Sequence, residues 1–260
     1  MIQTLQKNHI LQSLVIILAF CLFQYILDNP PFRDIVSTLE YSSSRIFIYY
    51  LISSIPVVIS LFILMHKRNI SSNVGLNKGF LTALIFGAIV TIPMSVGGLL
   101  FGDFNANLSL NRLMSGAVIA GFMEEFFYRA FLFGLLFRIA KWGFIPSILI
   151  ASVIFGAVHL YQSNDILSIL SIFGVTAFGS IVFAWVYVEW NYNLWCAIFL
   201  HFFMNLWWMV FSLSATAQGD LLANIFRVMT IALVVTLTII YKKRLTIKYQ
   251  INRKTLWVNR

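Results

Sequence analysis

The fold is decided by residues 113–137, which read LMSGAVIAGFMEEFFYRAFLFGLLF. At about 1.5 Å of rise per residue, this apolar run is long enough to cross a bilayer core of roughly 30 Å as a helix. Glu124, Glu125 and Arg129 lie in the middle of the run. Each such group costs ~2.5–3.5 kcal/mol to insert at the centre of a membrane helix, so ionisable residues there mark functional sites by default. We therefore expect this helix to carry the functional site.

The composition is that of a membrane protein. Of the 260 residues, 60% are hydrophobic and only 10% are charged, whereas soluble domains carry roughly 25% charged residues. The hydropathy predicts an all-α, polytopic integral membrane protein with about eight transmembrane helices. The predicted spans are approximately Ile10–Leu27, Arg45–Met65, Phe80–Phe101, Leu113–Phe137, Phe144–Leu160, Ile166–Val188, Leu194–Leu213 and Leu221–Tyr241.

The basic residues predict how the chain is oriented in the membrane. With the N-terminus in the cytoplasm, the cytoplasmic segments hold 13 Lys and Arg, and the opposite segments hold only three. Both termini are therefore predicted to be cytoplasmic. Seven of the 18 basic residues lie in the tail 242–260, so the net charge of +9 indicates contact with anionic lipid head groups rather than with nucleic acid. We interpret residues 1–260 as a single membrane domain with a catalytic core at about 113–213, and Glu189 as a helix-end charge.

Helical spacing assigns different surroundings to the two adjacent carboxylates. Glu125 and Arg129 are four residues apart, so their side chains lie on one face of the helix and are expected to pair. Glu124 points ~100° away from Glu125 because an α-helix has about 3.6 residues per turn. Two adjacent, unpaired carboxylates in a medium of low dielectric constant do not both ionise. Arg129 supplies the positive charge that can neutralise Glu125. Glu124 is then the carboxylate that remains available for chemistry.

Two further polar clusters lie in later spans. Phe155 and His159 are four residues apart in the fifth span, and His201 and Asn205 are four apart in the seventh. Glu124 and His159 together are suited to holding and deprotonating a water molecule. His201 and Asn205 are suited to donating hydrogen bonds to the oxyanion that forms when this water attacks a carbonyl group. The sequence offers no evident serine or cysteine nucleophile, so the set favours direct attack by water on an amide.

Structural roles remain open for parts of this constellation. The pair Glu125–Arg129 and the pair His201–Asn205 each have the spacing of residues that only hold helices together. The span boundaries also place the two histidines ~12 Å apart in depth, a gap that helix tilt or shifted helix ends would have to close. Small residues at four positions are expected to let helices approach closely, at Gly116, Gly121, Gly174 and Gly179.

The three motifs, on successive membrane helices, resemble those of the CPBP family over about Leu113–Leu213. This family comprises CAAX prenyl endopeptidases and bacteriocin-processing or immunity proteins, also called Abi. The resemblance implies an intramembrane protease of the glutamate type without a cofactor. It implies the following roles: Glu124 as general base, His159 as its water-positioning partner, His201 and Asn205 as the oxyanion site, and Glu125, Arg129 and Phe155 as supporting residues.

The resemblance leaves the substrate and several alternatives open. It implies a membrane-associated peptide or protein substrate, such as a CAAX-like tail or a pheromone or bacteriocin precursor. A zinc-dependent version of the same protease would use Glu124, His159 and His201 as ligands. A non-enzymatic immunity factor or scaffold, and a transporter with a proton relay, are alternatives from other classes. The composition favours a bacterial cell membrane, and no feature of the sequence indicates an oligomeric state.

Overall fold

The structure, a computed structural model, describes residues 8–29, 42–65 and 69–259. Over these ranges the chain is helical, and its one β-type contact is an isolated antiparallel bridge between Trp142 and Val258. The all-α prediction is confirmed. The helices are α1 (His9–Asp28), α2 (Ser43–Ser53), α3 (Ile55–Leu64), α4 (Ile70–Val74), α5 (Phe80–Val90), α6 (Ile92–Phe101), α7 (110–138), α8 (Phe144–Ala157), α9 (Ile166–Glu189), α10 (Leu194–Val210) and α11 (Leu221–Arg244), with a 3-10 turn at Leu160–Gln162.

Within the described ranges, five helical segments are long and apolar enough to cross a membrane: His9–Asp28, Phe80–Phe101, Phe144–Gln162, Ile166–Glu189 and Leu221–Arg244. The helices α2 and α3 form a sixth candidate span that is bent by 45°. The two other predicted spans correspond to α7 and to the shorter α10. The chain is a polytopic membrane protein, and the count of eight spans stays a prediction. The orientation in the membrane also stays a prediction, because four of the basic residues that were compared lie outside the described residues: Lys7, Arg33, Lys67 and Arg68. The single domain proposed for residues 1–260 stays a prediction as well, since parts of it lie outside the described residues.

The first helix shows how the bundle meets the lipid. On α1, Leu14, Leu18 and Leu22 are at least half exposed, whereas Ile16 and Phe20 are buried. A helix that is apolar on both faces buries one face against protein and presents the other to hydrocarbon. This arrangement is what a membrane-spanning bundle requires, and it would leave a large apolar surface unfavourably exposed in water.

The helix α7 lies at the centre of the bundle. Residues 127–137 are all buried, as expected of a helix that is apolar all round. The run from 110 to 138 is continuous but changes its winding: Leu110–Leu113, Ala120–Glu124 and Gly134–Arg138 are α-helical, and Met114–Ile119 and Glu125–Phe133 are π-helical. Short π-helical segments are rare in proteins, and those that occur often lie at functional sites. The second of them begins at Glu125, directly after Glu124.

Close packing of α7 on α10 depends on two of the four glycines singled out above. A Cβ atom on Gly116 or Gly121 would lie 2.9 or 3.3 Å from atoms of α10. The same prediction is wrong for Gly174 and Gly179, where an added Cβ would meet no atom within 4 Å. Gly179 instead lines a cavity, so the missing side chain leaves space there.

The segment that follows α11 folds back onto the start of α8. The backbone N–H groups of residues 143–145 donate hydrogen bonds to carbonyl oxygens of residues 255–257, over distances of 2.8 to 3.0 Å. The first N–H groups of a helix have no partner within the helix, so the C-terminal segment satisfies donors that α8 cannot satisfy itself.

A buried ion pair holds the same segment. The Lys242 ammonium group contacts the Glu189 carboxylate, and both side chains are fully or almost fully buried. The backbone N–H groups of Gln250 and Ile251 also donate to this carboxylate, at 3.1 and 2.9 Å. Glu189 is thus more than a helix-end charge, and Lys242 is not among the basic groups that face the lipid. Lipid contact by the other basic residues of 242–260 stays a prediction.

We expect Gly143→Ala to release the C-terminal segment. A Cβ at residue 143 would lie 2.1 Å from the carbonyl carbon of Trp257, so one backbone must move. Overpacking of this kind costs ~1–3 kcal/mol, which corresponds to roughly 5- to 150-fold faster trypsin cleavage after Arg253 or Lys254. Mass spectrometry of a digestion time course measures this rate. Gly174→Ala is the matched control, and equal cleavage rates for the two variants would contradict the expectation.

Candidate active site

The buried core of the site is a cluster of three side chains. Arg129 Nε lies 3.1 Å from Glu125 Oε2, the ion pair that the four-residue spacing predicts. The other carboxylate oxygen, Oε1, accepts a hydrogen bond from His201 Nδ1 at 2.7 Å. Glu125 is fully buried and Arg129 is 1% exposed. Glu125 therefore links α7 to α10 and fixes the orientation of the His201 ring.

The Arg129 guanidinium is held between aromatic rings. Its Cζ atom lies 4.1 Å from the centre of the Phe155 ring and 5.2 Å from that of Phe183. None of its three nitrogens has an aligned hydrogen bond among the residues that the structure describes. A cation placed over ring faces in a desolvated site gains ~2 kcal/mol or more. Phe155 therefore supports the site through two contacts, one with the Arg129 guanidinium and one with the His159 ring.

Glu124 lies apart from this cluster, as its position on the helix predicts. Its side chain is 19% exposed, and its Oε2 atom is buried without a hydrogen-bond partner in the described part of the chain. The nearest cationic or imidazole atom is His201 Nε2 at 3.9 Å. This distance is too long for a direct hydrogen bond, and one water molecule is able to bridge it.

The end of α8 sets the tautomer of His159. Because α8 ends at Ala157, the backbone N–H of His159 bonds to the carbonyl oxygen of Gly156 instead of that of Phe155. The carbonyl oxygen of Phe155 accepts a hydrogen bond from His159 Nδ1 at 2.6 Å instead. The two rings also pack, with centres 4.6 Å apart. In the neutral imidazole, Nε2 is then the nitrogen that can accept a proton.

The orientation of His201 constrains its chemistry. Nδ1 carries the hydrogen that Glu125 accepts, so a neutral His201 has an unprotonated Nε2 facing Glu124. A hydrogen bond from Nε2 to an oxyanion requires the doubly protonated ring. The hydrogen bond between His201 and Glu125, which links the motifs of α7 and α10, is not evident from the sequence.

Asn205 is anchored to the central helix. Its Nδ2 group donates to the carbonyl oxygen of Gly116 at 2.8 Å. The carboxamide has two N–H hydrogens, so one remains for a ligand. The close approach at Gly116 brings this amide near α7.

The four predicted catalytic side chains all line one cavity of about 1270 Å³. Glu124 comes from α7, His159 from the turn after α8, and His201 and Asn205 from α10. The predicted difference in depth between the two histidines therefore does not separate them into two sites. The volume is sufficient for a peptide segment.

The comparison with known families identifies this region. The model of the Rce1-like type II CAAX prenyl endopeptidases matches residues 106–207. Residues 106–207 belong to the Rce1-like family. The predicted resemblance to CAAX proteases is confirmed, and the family is one of CAAX-type membrane endopeptidases. No curated protein and no solved structure matches the chain.

The Rce1-like segment contains every residue of the predicted site, but it does not supply the whole cavity. Tyr161 and Gln162, from the 3-10 turn, line the wall within the segment. Trp208 and Arg227 line it from outside the segment. None of these four residues has a role predicted from the sequence. Only Arg227 carries a signal that could have singled it out, since it is an ionisable residue inside a predicted span.

The described residues contain no group of three or more His, Cys, Asp or Glu side chains arranged to hold a metal ion. The zinc alternative requires Glu124, His159 and His201 to converge on one ion. In this structure His201 Nδ1 is engaged by Glu125, and His159 Nδ1 is engaged by the backbone of α8. Only the Nε2 atoms of the two rings therefore remain for ligation.

Proposed function

We propose that the chain is an intramembrane endopeptidase in which Glu124 activates a water molecule. The observation that carries the proposal is the Oε2 atom of Glu124, a buried oxygen without a partner among the described residues, in a cavity shared with two imidazoles. A buried carboxylate oxygen without a partner is costly, so a hydrogen-bonding ligand is expected beside it. In a protease that ligand is water.

The reaction begins with water held between Glu124 and His159. Glu124 takes one proton of the water while its oxygen attacks the carbonyl carbon of the substrate amide. His159 Nε2 accepts the second hydrogen in a hydrogen bond, which orients the lone pair of the water toward the carbonyl carbon. The product of this step is a tetrahedral intermediate with an oxyanion.

In this mechanism His201 and Asn205 stabilise the oxyanion. The Nε2–H of the His201 imidazolium and the second N–H of Asn205 are the donors. Collapse of the intermediate breaks the C–N bond, and the proton held by Glu124 passes to the leaving amine. Glu125 and Arg129 act as positioning residues, because Glu125 orients the His201 ring and Arg129 holds Glu125, and neither contacts the substrate.

The substrate that we propose is a membrane-associated peptide or protein cleaved near its C-terminus or leader. The test is a comparison of membrane peptides from a bacterial host that produces either the wild-type chain or Glu124→Gln at equal levels. We expect new peptide termini only with the wild type. Identical peptide populations in both samples would contradict the proposal and would favour the non-enzymatic immunity or scaffold alternative.

We expect cleavage by the purified protein to continue unchanged in EDTA. The reason is that the proposed mechanism activates water with a carboxylate and stabilises the oxyanion with N–H groups, so no step depends on a metal ion. The rate of peptide hydrolysis before and after chelation measures this. Activity that disappears in EDTA and returns with Zn²⁺ would instead establish the zinc alternative.

A further inference from the structure

The cavity contains a second cationic group that the proposed mechanism does not use. Arg227, in α11, lines the same cavity as Glu124 and His201. Its guanidinium donates to Asn224 Oδ1 and to the carbonyl oxygen of Ala217, each at 2.9 Å. It also lies 4.4 Å from the centre of the Trp208 ring. The group is thus held in a fixed position on the cavity wall.

The charge of Arg227 has no carboxylate partner within 4 Å among the residues that the structure describes. In this it differs from Arg129 and Lys242, each of which pairs with a glutamate. A guanidinium has five N–H donors in a planar fork that matches a carboxylate. Two of its nitrogens bind neutral oxygens, so N–H groups remain for an anion from outside the chain.

The spacing of residues along α10 provides an estimate of the distance between the reacting centre and Arg227. Trp208 follows His201 by seven residues, which corresponds to about 10 Å along an α-helix. An extended peptide spans roughly 3.3–3.6 Å per residue, so about three residues cover this distance. A peptide cleaved beside Glu124 would therefore reach the guanidinium about three residues beyond the cleaved bond.

We propose that Arg227 binds the C-terminal carboxylate of the peptide substrate. Trp208 supports the guanidinium, and Asn224 and Ala217 orient it. Arg227 then sets which bond is cut, because it fixes the distance between the free C-terminus and Glu124. This inference rests on the proposed endopeptidase function, and it assigns a specificity role to a residue outside the Rce1-like segment.

The test compares one peptide in two forms. The probe is a short peptide of alanine, valine, isoleucine and leucine with an N-terminal fluorophore, made with either a free C-terminal carboxylate or a carboxamide. We expect the wild type to have a KM for the free acid that is lower than the KM for the amide by roughly 10- to 100-fold, as a charge-assisted pair predicts. In Arg227→Gln this ratio should fall to near one.

Arg227 also ties the backbone at Ala217 to α11, so the test must separate binding from a structural role. Arg227→Lys keeps the charge but loses the planar fork, and it should retain an intermediate preference for the acid. Lys243→Gln, which removes an exposed charge from the same helix, should keep the full preference. Equal KM values for acid and amide in the wild type would overturn the proposal. Equal loss of both activities in both Arg227 variants would overturn it as well.

A binding measurement distinguishes this proposal from the protease function. Fluorescence anisotropy gives the affinity of Glu124→Gln for each peptide, with no cleavage required. Tighter binding of the acid that is lost in the double variant Glu124→Gln/Arg227→Gln supports the carboxylate site even if the wild type cleaves neither peptide. Equal affinities of Glu124→Gln for the two forms would overturn the carboxylate site while leaving the proposed hydrolysis intact.

Discussion

In the Glu124→Gln variant we expect kcat for peptide cleavage to fall by about 10³-fold, within the range that a general base contributes. Glutamine keeps the shape of the side chain but cannot take the proton of the attacking water. Glu124 is partly exposed to the cavity and makes no ion pair closer than 3.9 Å with any residue that the structure describes, so the substitution should not unfold the protein. The measurement is kcat of the purified protein on a fluorogenic peptide, together with its thermal unfolding temperature.

The matched control for this variant is Asp103→Asn. Asp103 is an exposed acid that does not line the cavity, and its loss should leave kcat unchanged. Cleavage by Glu124→Gln at a rate close to the wild-type rate would remove Glu124 from the role of general base. A fall in activity accompanied by an equally large fall in unfolding temperature would point to a structural role instead.

The second large effect is expected for stability, in Arg129→Met. This substitution leaves the Glu125 carboxylate fully buried, with His201 as its one remaining partner in the described part of the chain. Breaking a buried pair by removing one partner costs ~3–5 kcal/mol, because an uncompensated charge stays in the interior. For a chain of this size we expect the unfolding temperature to fall by on the order of 10 °C. Thermal unfolding in detergent, followed by tryptophan fluorescence, measures it.

The double variant Glu125→Gln/Arg129→Met separates charge from packing. A neutral glutamine still offers an oxygen to His201 Nδ1 and leaves no unpaired charge, so most of the lost stability should return. If the double variant unfolds at the same temperature as Arg129→Met, the loss arises from the contacts of the arginine with Phe155 and Phe183.

The sequence was sufficient for features that depend on neighbouring residues. The apolar segments and the pairing of Glu125 with Arg129 follow from hydropathy and helical spacing. The family follows from three short motifs in order. Each segment, pair or single motif is determined within one helix turn or one span.

Features that join distant segments could not be predicted in this way. The hydrogen bond from His201 to Glu125 joins residues 76 positions apart, and the pair Lys242–Glu189 joins residues 53 apart. In the sequence, each of these four side chains looks like an ordinary helix-end or motif residue. Its partner becomes evident only once the helices are packed together. The π-helical winding from Glu125 to Phe133 also lacks a sequence signal, since no residue type or spacing in this stretch marks the change from the α-helical to the i→i+5 hydrogen-bond pattern.

The contact between residues 255–257 and the start of α8 has a consequence for biosynthesis. The N–H groups of residues 143–145 leave the ribosome about 110 residues before the carbonyl groups that accept from them. At roughly 5–20 amino acids per second, this delay is several seconds or more. The native contacts of this helix end are therefore completed only after translation has passed residue 257. Assembly of this protein thus has a late step that follows synthesis of α11.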